Sequence, residues 1–583
     1  MLITKRAHVP LLTVLALAAM LAVAGLGATS SAEAQEVPTT AAQATATTAP
    51  ATTLPATTLP ATTLPATSVP ATSAPATTAP ATSVPATTAP TATTAPVPGA
   101  GPGASGPAVP GAAQPGAGNV GAAGQGGAGD IARDLVQGNP GRAARRAVES
   151  LRREVSDLSG VELALFGLLA LVSLGLTLVA ATTLWWMLHA WRTPASLMAT
   201  GFPTAAGGPR HSFSLIVPAR HEEAVLGATL DRLAASDHPA FEILAVVGDD
   251  DPATHQVAVE AAARHPDVVR VLVDSSQPKN KPKALNTALP ACAGTVTAVF
   301  DAEDEVHPEL LRHVDGRFSD TGADVVQGGV QLMNYGSNWY ALRNVLEYYF
   351  WFRSRLHFHA QHRFIPLGGN TVFIRTDRLR EAGGWDPECL AEDCEIGVRL
   401  SSRGARVAVA YDPDLVTREE TPGSVGELLK QRTRWNQGFL QVLRKGQWRR
   451  LPTMRQRLLA RYTLAMPFLQ AFAGVMVPVS LATMILLDLP VLAALLTFVP
   501  MVPTLATLAV EAVALGEFCR GYGHRATPMD YLRLLLGAFP YHLLLGGAAL
   551  RAVLRERRGE RGWEKTAHVG AHRGVTQPAR RTP

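Results

Sequence analysis

The chain has 583 residues, which is too long for one ordinary domain, and its composition changes sharply along its length. Its 52 lysine and arginine residues against 47 aspartate and glutamate residues give a formal net charge of +5, too small an excess to indicate nucleic acid as a partner. The four cysteines have no CxxC spacing, so the pattern favours reduced thiols over a zinc site or a disulfide framework.

The N-terminal part of the chain has the pattern of an exported segment. Lys5 and Arg6 precede an apolar run, and an Ala-Glu-Ala sequence ending at Ala34 follows it, which predicts a signal peptide at 1–34. An uncleaved membrane anchor is the alternative. Residues 35–130 repeat Ala, Thr and Pro and contain no aromatic residue, so we predict a disordered extracytoplasmic stalk, partly in polyproline II conformation.

The first long apolar segment of the mature chain follows an Arg-rich stretch. Residues 131–160 are predicted to form a charged helical lead-in, and residues 161–190 a transmembrane helix with Trp185 and Trp186 near its end. Because the stalk is predicted to lie outside the cell, this helix would lead the chain into the cytoplasm.

Residues 211–445 alternate short apolar strands with helical stretches, which predicts βαβ units and a mostly parallel sheet. The predicted strands are Phe213–Val217, Ile243–Val247, Val269–Val273 and Val296–Phe300. Ligands of such sheets lie beyond the carboxyl ends of the strands. Asp249 and Asp250 follow one of these strands and Asp301 follows another, so they are candidate binding residues.

Residues 463–551 are predicted to form a C-terminal transmembrane region, and residues 552–583 a basic tail. Apolar segments that are each long enough to span a membrane lie at about 463–487, 489–515 and 530–550. Three full spans would place the basic tail outside, whereas its charge favours the cytosol. We therefore expect one segment to be re-entrant or interfacial, or one long run to bend into two. Glu511 is either a functional residue at membrane depth or a residue near an interface.

Two carboxylates that could share one ion follow the fourth predicted strand. Asp301 and Glu303 lie two residues apart in a turn, so both can face one divalent cation. In isolation such a pair is more often a solvated turn, and the same is true of Asp249 and Asp250. The run Lys281–Asn286, which contains Lys281 and Lys283, could bring positive charge to a diphosphate, although in isolation a solvated helix face is the more common explanation.

Two further motifs lie closer to the C-terminal membrane region. Glu392 and Asp393 open a predicted helix, where acidic residues also serve as ordinary caps. Gln431, Arg434 and Trp435 form a QxxRW motif. An isolated Arg-Trp pair is otherwise typical of an anchor at the membrane interface.

In this order and spacing, the motifs resemble those of inverting family 2 glycosyltransferases with a GT-A catalytic domain. The resemblance is to the membrane-integrated branch that includes cellulose, chitin and hyaluronan synthases and ceramide glucosyltransferase, and it covers about 211–445 and the flanking membrane segments. It is carried by Val217–Glu223, Asp249-Asp250, Lys283–Asn286, Asp301–Asp304, Gly368–Asn370, Ala391–Asp393 and the QxxRW motif. The resemblance implies an α/β GT-A domain inserted between transmembrane α-helices.

The resemblance also implies a role for each motif. Asp393 would be the catalytic base, and Asp301 with Glu303 would hold Mg²⁺ or Mn²⁺ near the diphosphate of the donor. The residues that would position donor and acceptor are Glu392, Gln431, Arg434 and Trp435. The residues that would bind the nucleotide-sugar are Pro218, Glu222, Asp249, Asp250, Lys283 and Asp301. The chain departs from the family where Glu303 replaces a usual Asp, and where Gly-Asp-Asp-Asp-Pro replaces Asp-Asp-Gly-Ser, which leaves open which aspartate touches the nucleotide base.

The function that the resemblance implies is sugar transfer from a UDP- or GDP-sugar, with formation of a β-linkage, by a multi-pass protein of the cell membrane whose catalytic domain is cytoplasmic. The acceptor is either a growing cell-envelope or extracellular polysaccharide, which the several membrane segments favour, or a membrane lipid. The QxxRW motif occurs in both classes. A non-catalytic cell-surface scaffold that uses the Thr/Pro-rich stalk is the alternative from another class.

Overall fold

The computed structural model describes residues 130–574, except residues 132, 135, 157–158, 194–207, 487–498 and 567. The predicted signal peptide, and the predicted stalk apart from its last residue, lie outside the described residues. In the described chain, an α/β domain is preceded and followed in sequence by long apolar helices.

The helices are short in the α/β domain and longer in the flanking segments. In chain order they are α1 (Pro140–Ser156), α2 (Gly160–Met187), α3 (His189–Arg192), α4 (Leu226–Ala234), α5 (Pro252–Arg264), α6 (Lys281–Ala288), α7 (Leu310–Thr321), α8 (Ala341–Phe350), α9 (Leu356–Gln361), α10 (Thr376–Ala382), α11 (Glu392–Ser402), α12 (Val425–Lys445), α13 (Met454–Leu464), α14 (Met466–Leu486), α15 (Met501–Gly521) and α16 (Pro528–Arg558). A π-helical turn, Trp351–Arg355, joins α8 to α9.

The strands form one large mixed sheet and one small sheet. They are β1 (Phe213–Ala219), β2 (Phe241–Gly248), β3 (Val269–Asp274), β4 (Val296–Val299), β5 (Val325–Gly328), β6 (Val330–Leu332), β7 (Val372–Arg375), β8 (Val407–Ala410) and β9 (Thr417–Glu419). The order in the large sheet is β3-β2-β1-β4-β7-β5-β8, and β6 pairs with β9. The four predicted strands are confirmed as β1 to β4, which pair in parallel. The sequence did not predict that β7 runs antiparallel to both β4 and β5.

Both faces of the central strands of the large sheet are buried, which explains why these strands are apolar runs rather than alternating polar and apolar residues. Ile216 of β1 and Leu244 of β2 pack in the cluster on one face, whereas Leu215 and Ile243 pack in the cluster on the other. All four side chains are fully buried. Burial of each such side chain contributes roughly 1.5–3 kcal/mol to folding, and the rigid sheet holds the residues at its edge in place.

In the part of the chain that the structure describes, three helices, α2, α15 and α16, are long and apolar enough to cross a membrane. The first begins at a capping box, in which Ser159 and Glu162 each accept a hydrogen bond from the backbone of the other. In addition, α13 and the part of α14 up to Ser480 form a pair bent by 48°, which is long and apolar enough to be a fourth span. The bend lies at the start of the first of the three apolar segments, one of which the sequence analysis expects to be re-entrant, interfacial or bent.

The long helices contact one another and the α/β domain through specific residues. A Cβ atom at Gly474 of α14 would lie 2.8 Å from Gly546 Cα of α16, so the two glycines allow these helices to pack with their backbones in contact. Glu511 of α15, which the sequence marked as either functional or interfacial, pairs with Arg343 of α8 at 2.8 Å. The same guanidinium donates to the carbonyl of Leu534 in α16 at 2.7 Å, so it joins three helices.

Candidate active site

A large cavity opens at the carboxyl edge of the sheet. Pro218 near the end of β1, Gly248 at the end of β2 and Asp301 after β4 contribute to its wall, as does Asp393 in the first turn of α11. The cavity has a volume of about 1120 Å³ and continues along residues of α2, α14, α15 and α16. It therefore connects the edge of the sheet, where the sequence predicts ligand binding, with the apolar helices.

Asp301 lies in a tight turn that Asp304 closes. The Asp301 N–H donates to Asp304 Oδ2 at 2.9 Å, and Asn370 Nδ2 donates to the other oxygen of the fully buried Asp304 at 3.0 Å. The Asp301 carboxylate forms an ion pair with Lys281 Nζ, which also donates to the carbonyl of Gly369 at 2.9 Å. Asp301 is thus fixed in direction and lies against a cation.

Lys281 stays charged in spite of its burial. Burial favours the neutral amine, but the charges of Asp301 and Glu392 outweigh it and raise the pKa of Lys281 above its ordinary value. A fixed ammonium at this position suits a ligand that develops negative charge, such as a departing diphosphate.

Glu303 belongs to a second group, with Glu222 and His568. One ligand atom from each residue lies within 4.8 Å of the others, and His568 Nδ1 is 3.1 Å from Glu303 Oε1 and 3.5 Å from Glu222 Oε1. Oε2 of Glu222 is buried and has no hydrogen-bond partner in the described part of the chain. Carboxylate oxygens with one imidazole nitrogen are a donor set that Mn²⁺ accepts, so these residues fit a divalent cation.

The charges of this group depend on one another. Burial favours the neutral carboxyl of Glu303, but the positive charge of His568 outweighs it and lowers the pKa of Glu303 to about 2. Burial likewise favours a neutral imidazole, but the negative charges of Glu303 and Glu222 raise the pKa of His568 to about 11. A cation that binds between the two carboxylates therefore requires His568 to release its proton or to move away.

Asp393 lies close to Lys281 across a glycine. A Cβ atom at Gly369 would lie 3.3 Å from Asp393 Oδ2 and 3.7 Å from Lys281 Nζ, so the absent side chain lets both groups approach. The N–H of Cys394 donates to Asp393 Oδ1 at 2.7 Å, which leaves Oδ2 on the side of Gly369.

Burial makes both acidic residues at the start of α11 weaker acids than usual. It raises the pKa of Asp393 above its ordinary value. For Glu392, which is 4% exposed, burial and then the charge of Asp393 raise the pKa to about 7. A carboxylate with a raised pKa is a stronger base, which suits proton removal from a hydroxyl.

The QxxRW motif lies on α12, where the spacing i, i+3, i+4 puts its three residues on one face. The guanidinium of Arg434 stacks at 4.5 Å from the ring of Trp563, and its Nε has no hydrogen-bond partner in the described residues. Gln431 Oε1 is also buried without a partner there. The Trp435 ring lies 6.2 Å from that of Tyr348. Buried polar atoms of this kind are normally satisfied, so these two are available to a ligand.

The predicted residues that line the cavity are Pro218, Glu222, Asp301, Glu303, Glu392, Asp393, Gln431, Arg434 and Trp435. Asp249 and Asp250 follow β2 as predicted, but they are outside the lining of this cavity. The Asp249 carboxylate pairs with Lys279 at 2.6 Å, and that of Asp250 pairs with Arg220 at 2.7 Å.

Lys283 also lies outside the cavity lining, and Lys281 takes the place that the sequence analysis gave to it. Lys283 Nζ donates to the backbone carbonyls of Gln277 and Pro278 at 2.8 and 3.1 Å. The cause is helical geometry. Because α6 begins at Lys281, the two lysines point in directions roughly 200° apart around the helix axis.

The largest omission of the sequence analysis is the C-terminal segment, residues 559–574, which was predicted only as part of a basic tail. Trp563, Lys565 and His568 of this segment line the cavity beside the motifs of the α/β domain. Lys565 Nζ lies 3.0 Å from Glu222 Oε1. The run Trp-Glu-Lys-Thr-Ala-His is the local signal that could have indicated this role, since a purely solvated tail needs neither the tryptophan nor the histidine.

The C-terminal segment is held against the α/β domain by its backbone and by an arginine. The Glu420 carboxylate accepts hydrogen bonds from the N–H groups of Val569 and Gly570 at 2.6 and 3.2 Å. Arg573 donates to Thr229 Oγ1 at 2.6 Å. These contacts fix the segment over the carboxyl edge of the sheet.

Comparison with known proteins identifies the α/β domain. Residues 209–438 match the family model described as glycosyltransferase like family 2. This segment is a family 2 glycosyltransferase domain. The family match, together with the mixed α/β sheet, supports the GT-A-like fold that the sequence predicts.

The glycosyltransferase domain is similar to curated proteins over about 40% of this chain. It is 28% identical over 233 residues to the beta-monoglucosyldiacylglycerol synthase of Trichormus variabilis, a match that covers 39% of this chain and 49% of that protein. It is 25% identical over 238 residues to the probable glycosyltransferase YdaM of Bacillus subtilis, covering 40% of this chain and 56% of that protein. The chain thus spans about half the length of these relatives.

A plant enzyme and a solved structure also match. The glucomannan 4-beta-mannosyltransferase 7 of Arabidopsis thaliana is 30% identical over 151 residues, which is 25% of this chain and 27% of that protein. The mannosyltransferase PcManGT of Pyrobaculum calidifontis, solved with GDP-Man and Mn²⁺, is 19% identical, with a TM-score of 0.41 over 67% of this chain and 99% of that one.

Proposed function

We propose that the protein is a membrane-bound inverting glycosyltransferase that moves a sugar from a UDP- or GDP-sugar to an acceptor hydroxyl at the cytoplasmic face of the cell membrane. The observation that carries this proposal is the meeting of Asp393, Lys281 and Glu303 in one cavity that continues to the apolar helices. A non-catalytic scaffold does not need a cluster of buried charged side chains around a cavity.

The donor diphosphate would lie at the carboxyl edge of the sheet. Lys281 supplies a fixed positive charge there, and Glu303 with Glu222 and His568 would hold a divalent cation. A bound cation would neutralise charge on the diphosphate leaving group. Arg434 and Gln431, whose buried Nε and Oε1 atoms have no hydrogen-bond partner in the described part of the chain, would contact the donor from α12.

Asp393 would act as the base in one displacement. Its carboxylate takes the proton of the acceptor hydroxyl while the acceptor oxygen forms a bond to the anomeric carbon. The bond from that carbon to the diphosphate oxygen breaks at the same time, and the diphosphate leaves with the bonding electrons. A single attack from the opposite face inverts the anomeric carbon, which gives a β-linkage from an α-linked donor.

Two acceptor classes are consistent with this chemistry. The membrane segments favour a growing cell-envelope or extracellular polysaccharide, and a membrane lipid is the second candidate. The relatives include one protein named for each class, a glucosyldiacylglycerol synthase and a glucomannan mannosyltransferase. The aliphatic residues of the long helices that line the cavity favour the lipid.

The proposal is tested with the purified full-length protein in nanodiscs, a panel of UDP- and GDP-sugars, and Mg²⁺ or Mn²⁺. We expect cation-dependent sugar transfer or donor hydrolysis that falls by about 10²- to 10⁴-fold in Asp393→Asn, because the base is lost. Asp377→Asn is the matched control, since Asp377 also lies in the first turn of a helix but is exposed. Unchanged activity in Asp393→Asn would show that Asp393 is not the base.

A further inference from the structure

The cavity has a second part, which we call the apolar arm. It extends from the catalytic carboxylates between the long helices, and it is lined by Leu176 and Ala180 of α2, Ala473 and Val477 of α14, Leu508 of α15 and Phe539 of α16. Three of these four helices are long and apolar enough to cross a membrane, and α14 belongs to the bent pair. The arm thus connects the catalytic carboxylates with the helices that a bilayer would surround.

We propose that the apolar arm binds the hydrocarbon part of a lipid acceptor, so that a free hydroxyl on the lipid head reaches Asp393. The inference rests on the proposed function and names the acceptor class for it. A polysaccharide acceptor would need hydrogen-bonding partners for its many hydroxyl groups along its path. A lipid needs apolar walls, and each buried CH₂ group contributes about 0.8 kcal/mol to its binding.

Three threonines of the arm keep its wall largely apolar, because their hydroxyl groups are bonded to their own helices. Thr183 Oγ1 donates to the carbonyl of Val179 at 2.9 Å. Thr504 and Thr507 donate in the same way to the carbonyls four residues before them, each at 2.8 Å. A threonine whose hydroxyl donates to its own backbone has no hydrogen left to donate to a bound substrate, so the substrate contacts mainly its methyl group.

Paired polar groups line the same cavity as the apolar arm. Arg343 is paired with Glu511 at 2.8 Å, and Glu347 accepts from Arg432 at 2.9 Å and from Tyr541 Oη at 2.7 Å. A change from paired polar groups to aliphatic walls along one cavity matches the head and tail of an amphiphile. The cavity volume exceeds the roughly 300–1000 Å³ of ordinary small-ligand pockets, so it has room for a donor and part of a lipid.

A helix that lines the arm also has an exposed apolar face. Leu178 of α2, two residues from Ala180, is 60% exposed, and in a membrane this face would contact the hydrocarbon of the bilayer. The helix would therefore lie between bilayer lipid on one face and the arm on the other.

The test uses full-length protein in phosphatidylcholine nanodiscs, whose lipid has no free hydroxyl, with added dioleoylglycerol, a lipid with one free hydroxyl and two acyl chains, together with a radiolabelled nucleotide-sugar. Label in the organic phase measures transfer to lipid, and free sugar measures donor hydrolysis. We expect organic-phase label that depends on dioleoylglycerol. Ala180→Trp fills the arm and should lower the ratio of transfer to hydrolysis by about tenfold, equivalent to 1.4 kcal/mol.

Matched variants distinguish the effect of filling the arm from the effect of disturbing the fold. Leu178→Trp places the same side chain on the outer face of α2 and should leave the ratio unchanged. On α14, Ala473→Trp inside the arm and Val475→Trp outside it form a second pair with the same expectation.

Three results would overturn the inference: hydrolysis without organic-phase label, label only in a water-soluble polymer, or equal effects of the inner and outer tryptophans. Each of these leaves the proposed function standing. Absence of both hydrolysis and transfer with every donor would instead overturn the proposed function.

Discussion

The candidate active site is built from two regions, one that short sequence motifs predict and one that they do not. At the carboxyl edge of the sheet, Asp301, Glu303 and Asp393 follow strands or open a helix, and short motifs mark them. In the C-terminal segment, Trp563 and His568 lie beyond all the long helices, yet they line the same cavity. We propose that the residues at the edge of the sheet carry out the transfer reaction, and that the C-terminal segment completes the binding site for donor and cation.

After Asp393→Asn, the largest expected effect also lies in the first region, at Lys281, the lysine that the family motif did not include. Lys281→Met removes the cation beside Asp301 and Gly369, and we expect turnover to fall by about 10²- to 10³-fold, as for loss of a fixed group that stabilises developing charge. Lys283→Met is the matched control on the same helix, and steady-state kinetics should show it close to the unaltered protein. Equal losses of activity in both variants would contradict the conclusion that Lys281, and not Lys283, acts in the cavity.

The two lysines also show how far sequence reasoning reaches. The acidic positions were predictable because the strand-to-turn and turn-to-helix pattern is local. Which of two lysines faces the cavity depends on the residue at which α6 begins, and Asn280 caps that helix through its side chain. A one-residue shift of a helix start is not readable from composition or spacing.

The C-terminal segment was missed for a different physical reason. Its contacts join residues that are far apart in the chain, such as Lys565 and the carbonyl of His221, 344 positions away. Hydropathy indicated the apolar helices, and the charge of the tail indicated a bent or re-entrant segment, but neither indicated that the bend lies between α13 and α14. Hydropathy and charge do not specify which part of the α/β domain the chain contacts after its last long helix, because that depends on how the helices pack.

An intermediate effect is expected in the second region, at the cation. His568→Ala removes an imidazole that lies 3.1 Å from Glu303, and we expect the Mn²⁺ concentration for half-maximal activity to rise by about tenfold. His572→Ala, on the same segment and outside the cavity lining, is the control for a buried histidine. A titration in which His568→Ala needs the same or less Mn²⁺ would show that His568 is no ligand.

The smallest effect is expected where the two regions touch. Trp563→Ala removes the ring over the guanidinium of Arg434, and a lost cation–π contact of about 1 kcal/mol should raise the KM for the donor by about fivefold, with little change in kcat. Trp448→Ala removes a similar stack on Arg449 outside the cavity, and should leave the KM unchanged. A kcat effect without a KM effect would place Trp563 in the chemistry rather than in binding.

The most direct test of the central claim, that Asp393 is the base for a single displacement in this cavity, is the anomeric configuration of the first product. Product formed from an α-linked UDP- or GDP-sugar would be isolated before further reaction and examined by proton NMR. We predict a β-linked product. An α-linked product would require two displacements or a different face of attack, and would contradict the account of the site.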